Sequence, residues 1–521
     1  DAMKTTVRDA TINFMREVGM TTIFGNPGST ELPMFRNFPD EFRYVLGLQE
    51  SVVVGMADGY AQATRNAAMV NLHSAAGVGH ALGNLFTAYK NQTPMVVTAG
   101  QQARSILPFE PFLFAERASE FPRPYVKWSI EPTRAEDVPA AIARAYHIAM
   151  QAPQGPTFVS VPVDDWDKEC DPLEVTTVSR QVRGDASLLA ALAEALATAR
   201  NPAIVVGAGL SRDECWDEAI ALAERHKAAV WVAPMAARAG FPEDHPLFQG
   251  FLTAGREPIV ASLEGHDLVL VLGAPTFIYH VEGFGPHVPE GARLFQIVDD
   301  PDMASWIPTG TAIVSSLKPA LAELLQGPNP IARTAPAPRP VADALPGLPF
   351  NDAYLMQRMA ALRPKGSIIV EEAPSTRGPM HDHLPIVERD TFYTCASGGL
   401  GHGLPASVGV ALGRPGEKVI CLLGDGSSMY AIQGLWTAAQ LRLPISFIIV
   451  NNGGYEALIN FGRVFGLQQT VGTDLSGLDF VSIAQGQGVP GVRVNRAEDL
   501  DAALTHSFGA QGPTLVEVVV D

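Results

Sequence analysis

Residues 419–455, VICLLGDGSSMYAIQGLWTAAQLRLPISFIIVNNGGY, constrain the fold of this chain more than any other stretch. Residues 419–423 form an apolar run with the length and content of a buried parallel strand, and the run ends in Gly424-Asp425-Gly426. A helical pattern follows, with Leu435, Ala438 and Ala439 on one side. A second apolar run, 445–450, ends in Asn451-Asn452-Gly453. Strand, helix and strand in this order predict a βαβ unit. Both strands carry polar groups at their carboxyl ends, and in an open α/β sheet ligands bind at that edge.

Asp425 offers a carboxylate and Asn452 an amide oxygen at neighbouring strand ends. Such hard oxygen donors suit Mg²⁺, which takes a few protein oxygens and fills its other positions with phosphate and water. The glycines let backbone N–H groups come close to a diphosphate. Singly, Gly, Asp and Asn are common turn residues. The spacing is more specific: GDG, then 24 residues, then NN. It resembles the signature of enzymes dependent on thiamine diphosphate (ThDP).

At 521 residues the chain exceeds what one core holds, and about three domains are expected. With 47% hydrophobic and 18% charged residues it is globular rather than disordered. No run of apolar residues is long enough for a transmembrane helix, and residues 1–16 show helical spacing without a signal-peptide core. The 37 basic and 55 acidic residues give a net charge of −18, which argues against nucleic acid as a partner. Cys170, Cys215, Cys395 and Cys421 are scattered without a CxxC pair, as expected of buried free thiols in a reducing cytoplasm.

Strand and helix patterns alternate along the whole chain. In the first part, residues 22–24, 44–46, 68–72 and 95–99 read as strands and 51–65 and 78–90 as helices. Gly25-Asn26-Pro27-Gly28-Ser29 reads as a turn into a helix. Residues 177–184 carry no pattern and mark a boundary. Strands are expected next at 203–206, 229–232, 268–272 and 294–298. Gly207-Ala208-Gly209 follows the first of these. Without a full dinucleotide fingerprint and a ribose-binding acid, it reads as a structural strand–helix turn. Residues 326–349 hold seven prolines and mark a linker. The last part predicts strands at 367–370, 392–394, 419–423, 445–450 and 514–520. The expected fold is therefore α/β: three domains over 1–180, 181–340 and 341–521, each a mostly parallel sheet flanked by helices.

The resemblance extends beyond the signature. The whole chain is similar to the ThDP-dependent 2-oxo acid decarboxylases, with stretches like those of the benzoylformate decarboxylases among them. These are FGNPGS at 24–29, LQE at 48–50, NLHSAAG at 71–77, TAGQQ at 98–102, GAPTFIYH at 273–280 and GGLG at 398–401. The resemblance implies a pyrimidine-binding first domain, a middle domain and a diphosphate-binding third domain. Glu50 would hydrogen-bond the cofactor pyrimidine and promote the proton loss that activates it. From position alone it would be an acid favouring a helix dipole. Leu400 would sit beneath the bent cofactor, and the Gly398 carbonyl would accept from its amino group. Asp425, Asn452 and the main-chain oxygen of Gly454 would hold Mg²⁺, with Ca²⁺ as a substitute. Family members often have threonine where Gly454 stands. Asn26, Ser375, Gly426, Ser427 and Tyr455 complete the implied cofactor contacts.

Ser29, His73 and His280 are implied to face the substrate. Ser29 would bind the 2-oxo acid. His73 would assist addition and product release, and His280 would protonate the carbon that CO₂ leaves. Pyruvate and indolepyruvate decarboxylases carry adjacent histidines in a loop that here, at residues 101–122, has none. Phe112, Leu113, Ala457, Leu458 and Phe461 are candidates for an apolar wall around an aryl group. Arg377 departs from the benzoylformate pattern and is expected near the diphosphate edge. The implied reaction is conversion of benzoylformate to benzaldehyde and CO₂, with carboligation as a side activity. A carboligase like acetolactate synthase, a decarboxylase of aliphatic 2-oxo acids and a non-catalytic subunit remain as alternatives. FAD in the middle domain is also left open. Implied partners are the small 2-oxo acid and further copies of the chain, as a homodimer or homotetramer with its site at the interface.

Overall fold

A computed structural model describes residues 3–521; Asp1 and Ala2, where the expected N-terminal pattern begins, lie outside it. Three six-stranded sheets follow one another along the chain. The first is ordered Arg43–Leu46, Thr22–Gly25, Ala68–Leu72, Met95–Gln101, Pro156–Pro162, Ser129–Ile130, parallel throughout. The second is ordered Phe248–Phe251, Ala229–Val232, Pro202–Val206, Leu268–Leu272, Arg293–Val298, Thr311–Val314, again parallel. The third is ordered Phe392–Tyr393, Ile368–Glu372, Val419–Gly424, Ile445–Asn451, Thr514–Val519, Gly491–Val494, also parallel.

The sheets are buried on both faces, as near-continuous apolar strands require. In the first sheet Phe24, Val70 and Val97 point one way and Ile23, Met69 and Val96 the other. In the third, Val370, Cys421 and Phe447 join the same core as Phe24, so the first and third sheets share a central apolar layer. Two helices fill it, Glu50–Thr64 and Gly403–Gly413. They pack so closely that a Cβ on Gly409 would lie 1.9 Å from the Met56 carbonyl oxygen, and one on Gly59 2.1 Å from that of Ala406. Only glycine fits at either crossing point.

The expected strands are all present, with ends within two residues of those expected. The helix expected from 78 starts earlier and runs Ser74–Lys90, because His73 ends the strand and begins the turn directly. Among the described residues, seven strands were not expected: the edge strands Ser129–Ile130, Phe248–Phe251, Thr311–Val314 and Gly491–Val494, the buried inner strand Pro156–Pro162, and the short antiparallel pair Thr5–Thr6 and Glu169–Cys170. No helix or strand forms between Cys170 and Ala186, or between Leu324 and Asp352. The proline-rich segment is fastened to the middle domain: Arg333 donates to the carbonyls of His226, Leu196 and Ala197. Gly207 and Gly209 serve close packing, since Cβ atoms there would meet the backbone of Gly273 at 2.5 and 2.7 Å. All four cysteines are free and buried. No helix of the described residues is long and apolar enough to cross a membrane.

Candidate active site

Each sheet has a switch point, where the connections from two neighbouring strands leave in opposite directions, and ligands of open α/β sheets bind beside such points. In the first sheet this lies between Thr22–Gly25 and Ala68–Leu72. The turn after one strand carries Asn26 and Ser29, and the other strand ends at His73. His73 Nδ1 lies 2.9 Å from Glu31 Oε2. Glu31 is buried, and its carboxylate also accepts from the backbone N–H groups of Gly28 and Gly100. With Nδ1–H donating to Glu31, the Nε2 of His73 is left as the ring's acceptor. Asn26 Nδ2 donates to the Gly47 carbonyl at 2.9 Å. Ser29 is exposed in the same turn.

Glu50 is the first residue of its helix, capped by Gln49. Its Oε2 lies 2.8 Å from His80 Nδ1, a partner that the sequence reading missed. Asn84 Nδ2 donates to the carbonyls of both Ser51 and Gly401, at 2.6 and 2.9 Å. It therefore fastens the Glu50 end of one helix to the glycine-rich loop before the other.

That loop is built on a buried acid. Glu372, the last residue of its strand, accepts from the N–H groups of Gly401, His402 and Gly403 at 3.0, 2.9 and 3.0 Å. Gly398 and Gly401 have φ of +74° and +102°, which suits glycine. Leu400 between them is half-buried. The Asp58 carboxylate lies 3.0 Å from His402 Nε2, and both side chains are fully enclosed between the two central helices. Burial alone would push His402 down, but Asp58 outweighs it and holds the imidazole above its usual value. Asp58 is held below the usual carboxylate range despite burial, by His402 and donors including Thr93 and Gln62.

At the other loops of the third sheet, the strand Val419–Gly424 leads into Asp425, and Ile445–Asn451 into Asn452. Asp425 is 4% exposed and accepts from Gly426 and Gly453 N–H at 2.8 and 3.0 Å. Burial pushes its carboxyl up, opposed by backbone donors rather than by a basic side chain. Asn452 Oδ1 accepts from Gly454 N–H at 3.3 Å. Gly454 is buried against a strap, with Tyr455 N–H donating to the Thr473 carbonyl and Leu475 N–H to that of Gly453. A Cβ on Gly454 would sit 2.7 Å from the Thr473 oxygen, so this strap excludes a threonine there. The Tyr455 ring packs on Gly426, where a Cβ would come within 2.3 Å of it. Ser427 is buried, and Ser375 is half-buried beyond Glu372. A buried carboxylate without a cationic side chain, beside an amide oxygen and a buried main-chain carbonyl, fits a hard divalent cation.

Three family models match along the chain: thiamine pyrophosphate enzyme N-terminal TPP binding domain at 5–116, central domain at 189–324, and C-terminal TPP binding domain at 375–518. The chain belongs to the thiamine pyrophosphate enzyme family. It is 43% identical over 519 residues to a benzoylformate decarboxylase of Pseudomonas aeruginosa, covering 98% of each chain. The crystal structure of benzoylformate decarboxylase from Polynucleobacter necessarius matches with a TM-score of 0.97 at 40% identity, covering 99% of this chain and 98% of that one. A 4-hydroxybenzoylformate decarboxylase of Rhodococcus jostii RHA1 matches with a TM-score of 0.96 at 42% identity, covering 99% of each chain. The match to this family of ThDP enzymes implies ThDP with a divalent metal such as Mg²⁺, in agreement with the Asp425 donor set.

The substrate-side expectations divide. His280 is held by its N–H donating to the Ala254 carbonyl, and its ring lies on Phe461 with centroids 4.8 Å apart. These two candidates, from different domains, do meet. The rest of the expected wall is not assembled within one chain: Phe112 is 87% and Leu458 57% exposed, and Leu113 is also exposed. Ala457 is half-buried on the first turn of the Phe461 helix. Arg377 turns to the buried Glu371, with Nε and Nη2 donating to its carboxylate at 2.8 and 3.2 Å. Glu31, His80, Glu371 and Glu372 were the functional neighbours missed by sequence. The available signal was an acid pair ending an apolar strand, Ser367-Ile368-Ile369-Val370-Glu371-Glu372.

Proposed function

We propose that the chain catalyses ThDP- and Mg²⁺-dependent, non-oxidative decarboxylation of an aromatic 2-oxo acid, with benzoylformate giving benzaldehyde and CO₂. The supporting observation is the His280–Phe461 contact, an imidazole tilted 35° against an aromatic ring 4.8 Å away, in a chain 43% identical along its length to a benzoylformate decarboxylase. When bound, ThDP supplies the electron sink for the carbanion that loss of CO₂ creates.

The residues of the chain do the remaining work. Asp425, Asn452 and the Gly454 carbonyl would hold Mg²⁺ against the diphosphate, with Ser375, Gly426, Ser427 and Tyr455 around it. Leu400, the Gly398 carbonyl and Asn26 would position the cofactor, and Glu50 would share a proton with its pyrimidine. Ser29 would bind the substrate's oxo-acid end. His73, oriented by Glu31, would accept and return a proton at Nε2. The His280 imidazole would deliver a proton to the carbon that CO₂ leaves, while Phe461 excludes water.

In this reading residues 1–180, 181–340 and 341–521 are the pyrimidine-binding, middle and diphosphate-binding domains. The active form is a homodimer or homotetramer in which the first domain of one subunit faces the third of another. Apolar side chains left bare in a single chain support this, among them Phe465 at 71% and Val471 at 95% exposure. Active material sedimenting as a monomer at assay concentration would contradict it. The unpaired cysteines suit a cytoplasmic setting. The deciding assay compares CO₂ release from benzoylformate and pyruvate with ThDP and Mg²⁺ present. Preference for benzoylformate supports the reading, and preference for pyruvate overturns the substrate.

A further inference from the structure

The helix Ser74–Lys90 and its C-cap residue Asn91 carry Gly77, His80, Asn84, Thr87 and Asn91, spaced three, four, three and four residues apart. That spacing places all five on one face. The face is turned to the cofactor loop and to the helix that begins at Glu50. Asn84 Nδ2 joins the Ser51 and Gly401 carbonyls. Thr87 Oγ1 lies 2.8 Å from Ser397 Oγ. Asn91 Oδ1 accepts from the Ala396 N–H at 2.8 Å, and its Nδ2 donates to Asp58 at 3.1 Å. Three side chains of the face thus fasten residues 396–401 to the first domain.

The other two meet Glu50 itself. The Glu50 stem lies over Gly77, where a Cβ would stand 3.5 Å from Glu50 Cγ. One turn on, His80 Nδ1 lies 2.8 Å from Glu50 Oε2. Among the described residues it is the only hydrogen-bonding partner of that carboxylate, and Oε1 has none. With Glu50 ionised, Nδ1 carries the hydrogen and donates it. A pair with one partner 61% exposed adds little to stability. Its effect is on direction, because a glutamate side chain left unheld is free to turn among its rotamers.

Resting on the role given to Glu50 above, we propose that His80 is a positioning residue for cofactor activation. Its Nδ1–H holds Glu50 Oε2 and leaves Oε1 as the oxygen that shares a proton with the cofactor pyrimidine. One proton moves between Oε1 and a ring nitrogen of the pyrimidine, and His80 keeps its own hydrogen throughout. The helix face then has one task along its length. Asn84, Thr87 and Asn91 set the loop that carries Gly398 and Leu400, and His80 sets the acid that works beside them.

The test uses the holoenzyme with ThDP and Mg²⁺. It follows exchange of the thiazolium C2 hydrogen of bound ThDP into D₂O by quenched NMR, beside the ThDP dissociation constant and kcat and KM for benzoylformate. His80→Ala removes the donor. Exchange and kcat should fall about tenfold, with KM and the ThDP dissociation constant within about threefold of wild type. The bond is made by Nδ1, which is attached directly to Cγ. Asparagine carries its amide nitrogen at that same branch, whereas glutamine carries it one bond further out. His80→Asn should therefore recover most of the loss, and His80→Gln should not. The position is on an exposed helix surface, so none of the three replacements empties the core. Wild-type exchange in His80→Ala overturns the proposal, as does failure of asparagine to recover it or recovery by glutamine. A ThDP dissociation constant raised more than tenfold, with exchange unchanged at saturation, would make His80 a binding residue and also overturns it. A wild type that binds no ThDP overturns the cofactor reading together with the proposal. Normal exchange without turnover of benzoylformate, with the three variants behaving as expected, overturns the substrate alone.

Discussion

Replacing Asp58 with asparagine keeps the shape of the side chain and removes one charge of the enclosed Asp58–His402 pair. Thr93, Gln62 and Asn91 also donate to this carboxylate, so the asparagine must turn its amide group toward at least one donor. Breaking a buried pair on one side costs about 3–5 kcal/mol, because the remaining charge is left without a partner. The pH dependence identifies the cause. The His402 pKa is raised, so its contribution is complete below the unfolded imidazole value, about 6.5, and is lost as pH rises through the folded value. The Asp58 pKa is lowered, so its contribution is present above about 3.8 and is lost as pH falls through the folded value. The stability gap between wild type and Asp58→Asn should therefore be widest from about pH 4 to pH 6.5 and narrow as pH rises through the raised His402 value or falls through the lowered Asp58 value. Urea unfolding followed by tryptophan fluorescence, with hydrogen exchange in residues 50–64 and 403–413, would read it. A gap below about 1 kcal/mol between about pH 4 and pH 6.5 would refute the reasoning.

Other substitutions test the site itself. Glu50→Gln should lower kcat by about 10²–10⁴-fold while ThDP binding, read by tryptophan fluorescence, persists. Asp425→Ala should abolish Mg²⁺-dependent ThDP binding, and a chelator should do the same to wild type, with Mg²⁺ or Ca²⁺ restoring it. Glu31→Ala should free the His73 ring and reduce kcat/KM by about a hundredfold with the ThDP dissociation constant unchanged. His73→Ala retaining near wild-type turnover would remove His73 from the mechanism.

The strands were legible because parallel sheets covered on both faces require uninterrupted apolar runs, and runs such as 268–272 and 419–423 have no other use. The edge strands at 129, 248, 311 and 491 were not, because short edge strands need not be wholly apolar, and the buried strand Pro156–Pro162 was not, because Thr157, Ser160 and a proline at each end interrupt its apolar run. The same division holds in the site. Asp425, Asn452 and the glycines announced themselves because they stand at fixed distances along one βαβ unit. His280 and Phe461 lie 181 positions apart, and Glu31 and His73 42 apart; only the folded chain puts each pair in contact. Buried acids were the hardest to read. Glu31, Glu371 and Glu372 look like surface charges in a sequence, yet each sits at a strand end or turn where several donors converge on it. Their burial follows from those donors, because a carboxylate leaves water at tolerable cost only when its lone pairs are taken. The residues implied to touch cofactor and substrate are thus held by acids that touch neither. Changes at Glu31 or Glu372 should consequently disturb positioning at His73 or Leu400 while leaving every reacting group chemically intact.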